Sequence, residues 1–130
     1  MNKLVRDKVL DDMQNLKQRV EWHKLDDIEY LPALAKKLVE EAQEFSLENS
    51  EAALKELADV MEVIESIAAE YGADWDKLRA VQADIRAKRG GFHDRVYVER
   101  LDLDDDDPWV KYYAASPDRF REITNDTEPV

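Results

Sequence analysis

The chain has 130 residues, no cysteine, three glycines, four prolines and a formal net charge of −12. That length suits one domain with a core of its own, and the missing cysteines exclude disulfides, zinc thiolate sites and thiol nucleophiles. The acidity argues against a broad nucleic-acid footprint. No apolar run is long enough to span a membrane, and MNKLVRDKV lacks a signal-peptide core, so a cytoplasmic protein without a membrane partner is expected.

Abundant Glu, Lys, Leu and Ala with few Gly and Pro point to an all-α fold. A basic cluster, Lys3, Arg6 and Lys8, opens the chain. Val9, Met13, Leu16 and Val20 recur at helical spacing and place a first helix over 6–20. Trp22, His23 and Leu25 belong to the connection, and Asp26 or Asp27 can cap the second helix, over 28–45. Pro32 suits that helix only within its first turn. After a short connection with Asn49 and Ser50 as caps, a third helix runs over 51–71 and stops at Gly72. Asp74 starts a fourth, to about residue 88, with Trp75, Leu78, Val81 and Ile85 as its buried stripe.

Past Gly90 and Gly91, Val96, Val98 and Leu101 alternate with polar residues as in a short extended segment. Asp104–Asp107 read as a solvated linker. They are not a calcium loop, because Asp107 stands where Gly is needed and Tyr113 where the bidentate Glu belongs. Ser116 and Pro117 suggest a short helix to Ile123. Trp109, Tyr112, Tyr113 and Phe120 are too aromatic for a free tail and are expected to dock on the domain or on a second subunit. Residues 1–101 are thus read as the domain and 102–130 as an acidic, aromatic extension.

The chemistry concentrates in Glu40–Asp59, which contains EExxE (Glu40, Glu41, Glu44) and ExxD (Glu56, Asp59). Residues three apart on a helix lie one turn apart, so each pair can act as an oxygen clamp. Two such helices packed antiparallel would bring four carboxylates together, at a repulsive cost that a hard divalent ion relieves. On the second helix Leu31, Leu34, Ala35, Leu38, Ala42 and Phe45 share an arc, with Glu41 and Glu44 near its border and Glu40 nearly opposite. On the third, Leu57, Val60, Met61, Ile64, Ile67, Ala68 and Tyr71 form a broad apolar face, with Glu56, Asp59 and Val63 at its margin. Glu41, Glu44, Glu56 and Asp59 are therefore the ligand candidates. Helical Glu runs also serve as solvated faces or as partners of i,i+4 lysines.

NKLVRDK, KLVEEAQE, ELADVMEVI and AKRGGFHDR, in that order over 2–95, resemble the MazG-like all-α nucleoside triphosphate pyrophosphohydrolases, relatives of phosphoribosyl-ATP pyrophosphohydrolase and the dimeric dUTP pyrophosphatases. The resemblance implies a four-helix, bundle-like core completed by dimerisation, with tetramers a variant. It also implies Mg²⁺, or Mn²⁺ in its place, on Glu41, Glu44, Glu56 and Asp59. The implied reaction is hydrolysis of a nucleoside triphosphate to monophosphate and pyrophosphate, with Glu41 or Glu44 as general base. Lys3, Arg6, Lys8, Lys88, Arg89 and Arg95 match the family's basic segments. Lys37 is open to two readings, a phosphate contact or a salt-bridge partner. Pyrophosphohydrolysis of phosphoribosyl-ATP and a non-catalytic binding module are the alternatives. The interval from Glu44 to Glu56 is short for that superfamily, and the segment after Arg95 has no counterpart in its motifs.

Overall fold

Side-chain caps decide where the helices begin. The computed structural model describes residues 2–47 and 49–122, and among them the fold is all-α. The helices are α1 Asp7–Asn15, α2 Asp27–Gln43, α3 Ser50–Glu70, α4 Trp75–Arg89 and α5 Val110–Ala114. Asp26 caps α2, accepting from the N–H groups of Ile28 and Glu29 at 3.0 and 2.8 Å. Asn49 does the same for α3 through Glu51 and Ala52, and Asp74 caps α4 through Lys77. Each cap satisfies backbone donors that have no partner inside the helix.

The ends follow equally local rules. At Gly72 (φ 72°), Ala73 N–H donates to Ala68 O and Gly72 N–H to Ala69 O, a Schellman closure that needs a left-handed residue. The same closure ends α1 early, at Asn15. Gln18 N–H reaches Met13 O, Lys17 N–H reaches Gln14 O, and Lys17 takes the left-handed position at φ 57°. The apolar repeat that runs to Val20 is therefore cut by a turn that carries no glycine signal. Pro32 lies inside α2, past its first turn. The carbonyl of Ile28 loses its helical donor there, and Ile28 is 83% exposed, so water can take that place.

The contacts divide the chain into two compact units, Met1–Gly90 and Gly91–Val130. In the first unit, helix–helix contact is concentrated between α2 and α3, with a smaller contact between α3 and α4. The short connection folds α3 back along α2, and Leu34 and Val63 are the buried apolar residues of the described chain. Of the face expected to turn inward on α3, Val60, Ile64, Ile67 and Ala68 are half-buried, and Val63, expected at its margin, is buried most deeply. Leu57 and Met61, expected in the core, are nearly half exposed. On α4, Trp75 and Leu78 are half-buried while Val81 and Ile85 are exposed, so the expected stripe is covered only at its start.

The second unit departs further from expectation. No strand forms over 96–101; Val96 and Val98 are exposed and unpaired in a ladder. The helix near Ser116 is replaced by α5. Asp107 Oδ1 accepts from Trp109 N–H at 2.8 Å and Pro108 follows it, the same start signals placed earlier in the chain. Pro117 falls in a turn, with Arg119 and Phe120 N–H bonded to Ser116 O; Ile123 lies outside the described residues. Tyr112, Tyr113 and Phe120 pack against one another at ring-centroid distances of 4.9–5.9 Å, and Trp109 meets Tyr112 edge-on at 5.4 Å. The aromatic residues thus make a small cluster of their own.

Candidate functional site

One stripe from each of two helices lines a cleft of about 750 Å³ in the first unit. From α2 come Tyr30, Leu34, Lys37, Glu41 and Glu44, and from α3 Asp59, Glu62, Val63 and Ser66. Both sets are spaced by three and four residues, so each is a single helical face. The stretch Lys3–Val9, with Met13, forms the remaining wall. Lys3, Arg6, Lys8 and Lys37 thereby line one cleft with Asp7, Glu41, Glu44, Asp59 and Glu62.

Two acids of the cleft, Glu41 and Asp59, are paired with protein cations. Glu41 is 9% exposed, deep for a carboxylate, and its Oε1 lies 3.1 Å from Lys37 Nζ, one turn earlier on α2. Lys37 Nζ also contacts Glu40 at 3.2 Å, and Lys3 Nζ reaches the same Glu40 oxygen at 3.4 Å. Burial works against the charged form of Lys37, yet its hydrogen bonds to Glu41 and Glu40 and the charges of both hold its pKa above the ordinary lysine value. Glu40 is shifted below the ordinary carboxylate value by its hydrogen bond from Lys37, with Lys3 adding to the effect against a smaller burial penalty. On α3, Asp59 Oδ1 accepts from Arg6 Nη2 at 2.8 Å.

The placement of the expected residues is mixed. Glu41, Glu44 and Asp59 share the cleft, as do Lys3, Arg6, Lys8 and Lys37. Glu40 is outside its lining, on the side the helical wheel gives it, and serves as an anchor for Lys3 and Lys37. Glu56 is also outside the lining. Its Oε2 accepts from Ser46 N–H at 2.7 Å, tying α3 to the end of α2. Among the described residues no three Asp, Glu or His side chains stand close enough to hold one ion. Glu41, Asp59 and Glu56 each have a separate partner: Lys37, Arg6 and the Ser46 N–H. Lys88 and Arg89 end α4 and do not line the cleft. Arg95 belongs to the second unit, at φ 58° with its N–H on Phe92 O.

Glu41, Glu44, Asp59 and Glu62 offer anionic oxygens alone, the set a hard cation such as Mg²⁺ prefers. Glu62 was missed in the sequence, where ExxD was taken to end at Asp59. The signal was one more step of three along the same helix. A second concavity, of about 910 Å³, is lined by Asn2, Met13, Trp22 and His23 among others and contains the acid Glu21 alone. Trp22 is half exposed and His23 exposed.

No helix among the described residues is long and apolar enough to cross a membrane. Compared with protein-family models, curated proteins and solved structures, the chain matches none.

Proposed function

We propose that this protein is a MazG-like nucleoside triphosphate pyrophosphohydrolase, releasing monophosphate and pyrophosphate in the cytoplasm and clearing unwanted nucleotides. The carrying observation is the cleft itself: Lys3, Arg6 and Lys8 on the N-terminal wall and Lys37 on α2 line one concavity with Glu41, Glu44, Asp59 and Glu62. A triphosphate needs cationic groups along its oxygens and acidic groups where a metal and a water are held. A cleft with both signs offers both, and a purely solvated acidic face would carry no buried Glu41.

Glu41, Glu44 and Asp59, with Glu62 beside them, are the residues that would hold Mg²⁺, which would supply charge neutralisation and polarise the phosphate oxygens; Mn²⁺ has the same donor preference. The chain's own groups do the rest. Lys3, Arg6 and Lys8, on the N-terminal wall, bind phosphate oxygens. Glu44 or Glu41 accepts the proton of the attacking water. Water oxygen bonds to phosphorus as the bridging oxygen between the α and β phosphates leaves with its electron pair.

A homodimer belongs to this reading. Leu54, Leu57 and Met61 fall along one line of α3 and are 69%, 46% and 47% exposed. The α2–α3 hairpin of a second copy would cover that line and complete a four-helix bundle.

The test is pyrophosphate release from a panel of NTPs, dNTPs, modified nucleotides and phosphoribosyl-ATP, with Mg²⁺ and with EDTA. We expect Mg²⁺-dependent release that falls at least a hundredfold in Glu41→Gln, on the order of a lost metal ligand or base. Release from phosphoribosyl-ATP alone would reassign the substrate. No release from any of them by the folded protein would leave a binding module.

A further inference from the structure

The segment before α1 is a strap fastened at two points. Lys3 Nζ lies 3.4 Å from Glu40 on α2, and Arg6 Nη2 lies 2.8 Å from Asp59 on α3. An extended chain covers about 10 Å between residues three apart, close to the ~8–10 Å between packed helix axes. The segment is therefore the right length to tie one helix to the other. Between its two cations, Leu4 and Val5 are half-buried and line the same concavity as Leu34 and Val63, the buried apolar residues of the described chain.

Charge does most of the fastening. Among the described residues no backbone hydrogen bond ties 3–5 to either helix, and α1 starts at Arg6 without a side-chain cap. The two strap cations are surface groups, with side chains 42% and 55% exposed, so salt reaches both pairs. The fastenings are unequal. Glu40 keeps Lys37 at 3.2 Å when Lys3 leaves, whereas Arg6 is the cation that pairs with Asp59. Two weak points on one short chain reinforce each other, because while one pair holds the other re-forms from a high effective concentration.

We propose that residues 2–6 are a salt-sensitive strap whose release takes away the N-terminal wall of the cleft and opens it over Leu34 and Val63. Full release requires both pairs to break together. Weakening the Arg6–Asp59 pair therefore loosens Lys3 as well, three residues away. Ionic strength sets how often the cleft is open. The strap governs access alone and is independent of what the cleft binds.

The experiment is limited trypsin digestion of the full chain, read by intact mass as cleavage between Lys3 and Leu4 relative to cleavage after Arg89, at the end of α4. Trypsin takes the Lys3 side chain into its own specificity pocket, so it cuts only a strap that has let go of Glu40. When opening and closing outpace cutting, the rate follows the population of the open strap. Asp59→Asn leaves every tryptic site in place. It is expected to raise the cut after Lys3 about two- to fivefold, the range for one exposed ion pair, although Asp59 contacts Arg6 and not Lys3. Asp76→Asn, at an exposed acid on α4, controls for net charge and is expected to cut as wild type. The screening length falls from about 10 Å at 0.1 M salt to about 3 Å at 1 M. That change in salt should raise the cut after Lys3, and more so in wild type than in Asp59→Asn. Cleavage after Lys55, within α3, reports unfolding of the helix pair and should stay level. An Asp59→Asn rate equal to wild type, an equal rise in Asp76→Asn, a rise matched at Lys55, or a wild-type rate indifferent to salt would overturn the strap.

Discussion

Replacing Lys37 by Met tests the central electrostatic feature of the cleft. Met preserves the aliphatic stem but leaves Glu41 Oε1 without the ammonium at 3.1 Å. Breaking a fully buried ion pair costs about 3–5 kcal/mol. Here the two side chains remain 16% and 12% exposed, so solvent screening reduces the figure to about 2 kcal/mol. The loss in Lys37→Met should therefore be about 2 kcal/mol at pH 7. Urea unfolding, with Glu41→Gln and the double variant completing a cycle, provides the measurement. The double variant should recover most of the loss, because no charge is then left buried. A defect below about 0.5 kcal/mol, or one that the double variant keeps in full, would refute the claim that Lys37 is the counter-charge of a buried Glu41.

Three other outcomes are expected. Leu34→Ala, at a residue 3% exposed beneath the cleft, should cost about 3 kcal/mol in urea unfolding; a loss under 1 kcal/mol would mean α2 and α3 do not pack there. Lys17→Gly should stabilise by about 0.5–1 kcal/mol by removing the left-handed penalty at φ 57° while keeping both closing hydrogen bonds, read as a rise in Tm. Glu40 has its pKa lowered on folding, so its contribution is full above the ordinary carboxylate range and is lost as pH falls through the folded value. Lys37 is raised, so its contribution is present through neutrality and lost as pH climbs past the ordinary lysine range. Glu40→Gln should flatten the acid limb of the stability profile, and Lys37→Met the alkaline limb.

Much of this was written locally. Asp26, Asn49 and Asp74 before apolar repeats, and Gly72 after one, set helix boundaries to within a residue or two, since caps and closures involve neighbours alone. The stripes of the cleft were nearly legible too: Glu41 and Glu44 on α2, and Asp59 on α3, follow from helical spacing. Local chemistry misled where two segments offered the same signal. Asp107-Pro108 and Ser116-Pro117 both announce a helix, and one follows only the first, starting at Val110 after a turn at Pro108 and Trp109. It also misled at Lys17, where a residue with no turn preference adopts φ 57°.

The amino-acid sequence by itself determined an all-helical chain, the ends of its main helices and an acidic pair on each of two of them. Tertiary structure decided how far the apolar face of α3 is covered: Val63 is buried and Val60, Ile64 and Ile67 are half-buried, while Leu57 and Met61 stay exposed, because α2 meets the flank that carries the acids. It also decided the partners of those acids. Glu56 went to a backbone N–H, Glu41 to Lys37 and Asp59 to Arg6, fifty-three residues away in the chain. Spacing along a helix fixes which side chains share a face. Which charges they meet depends on the residues that other segments bring to that face, and this is a property of the fold.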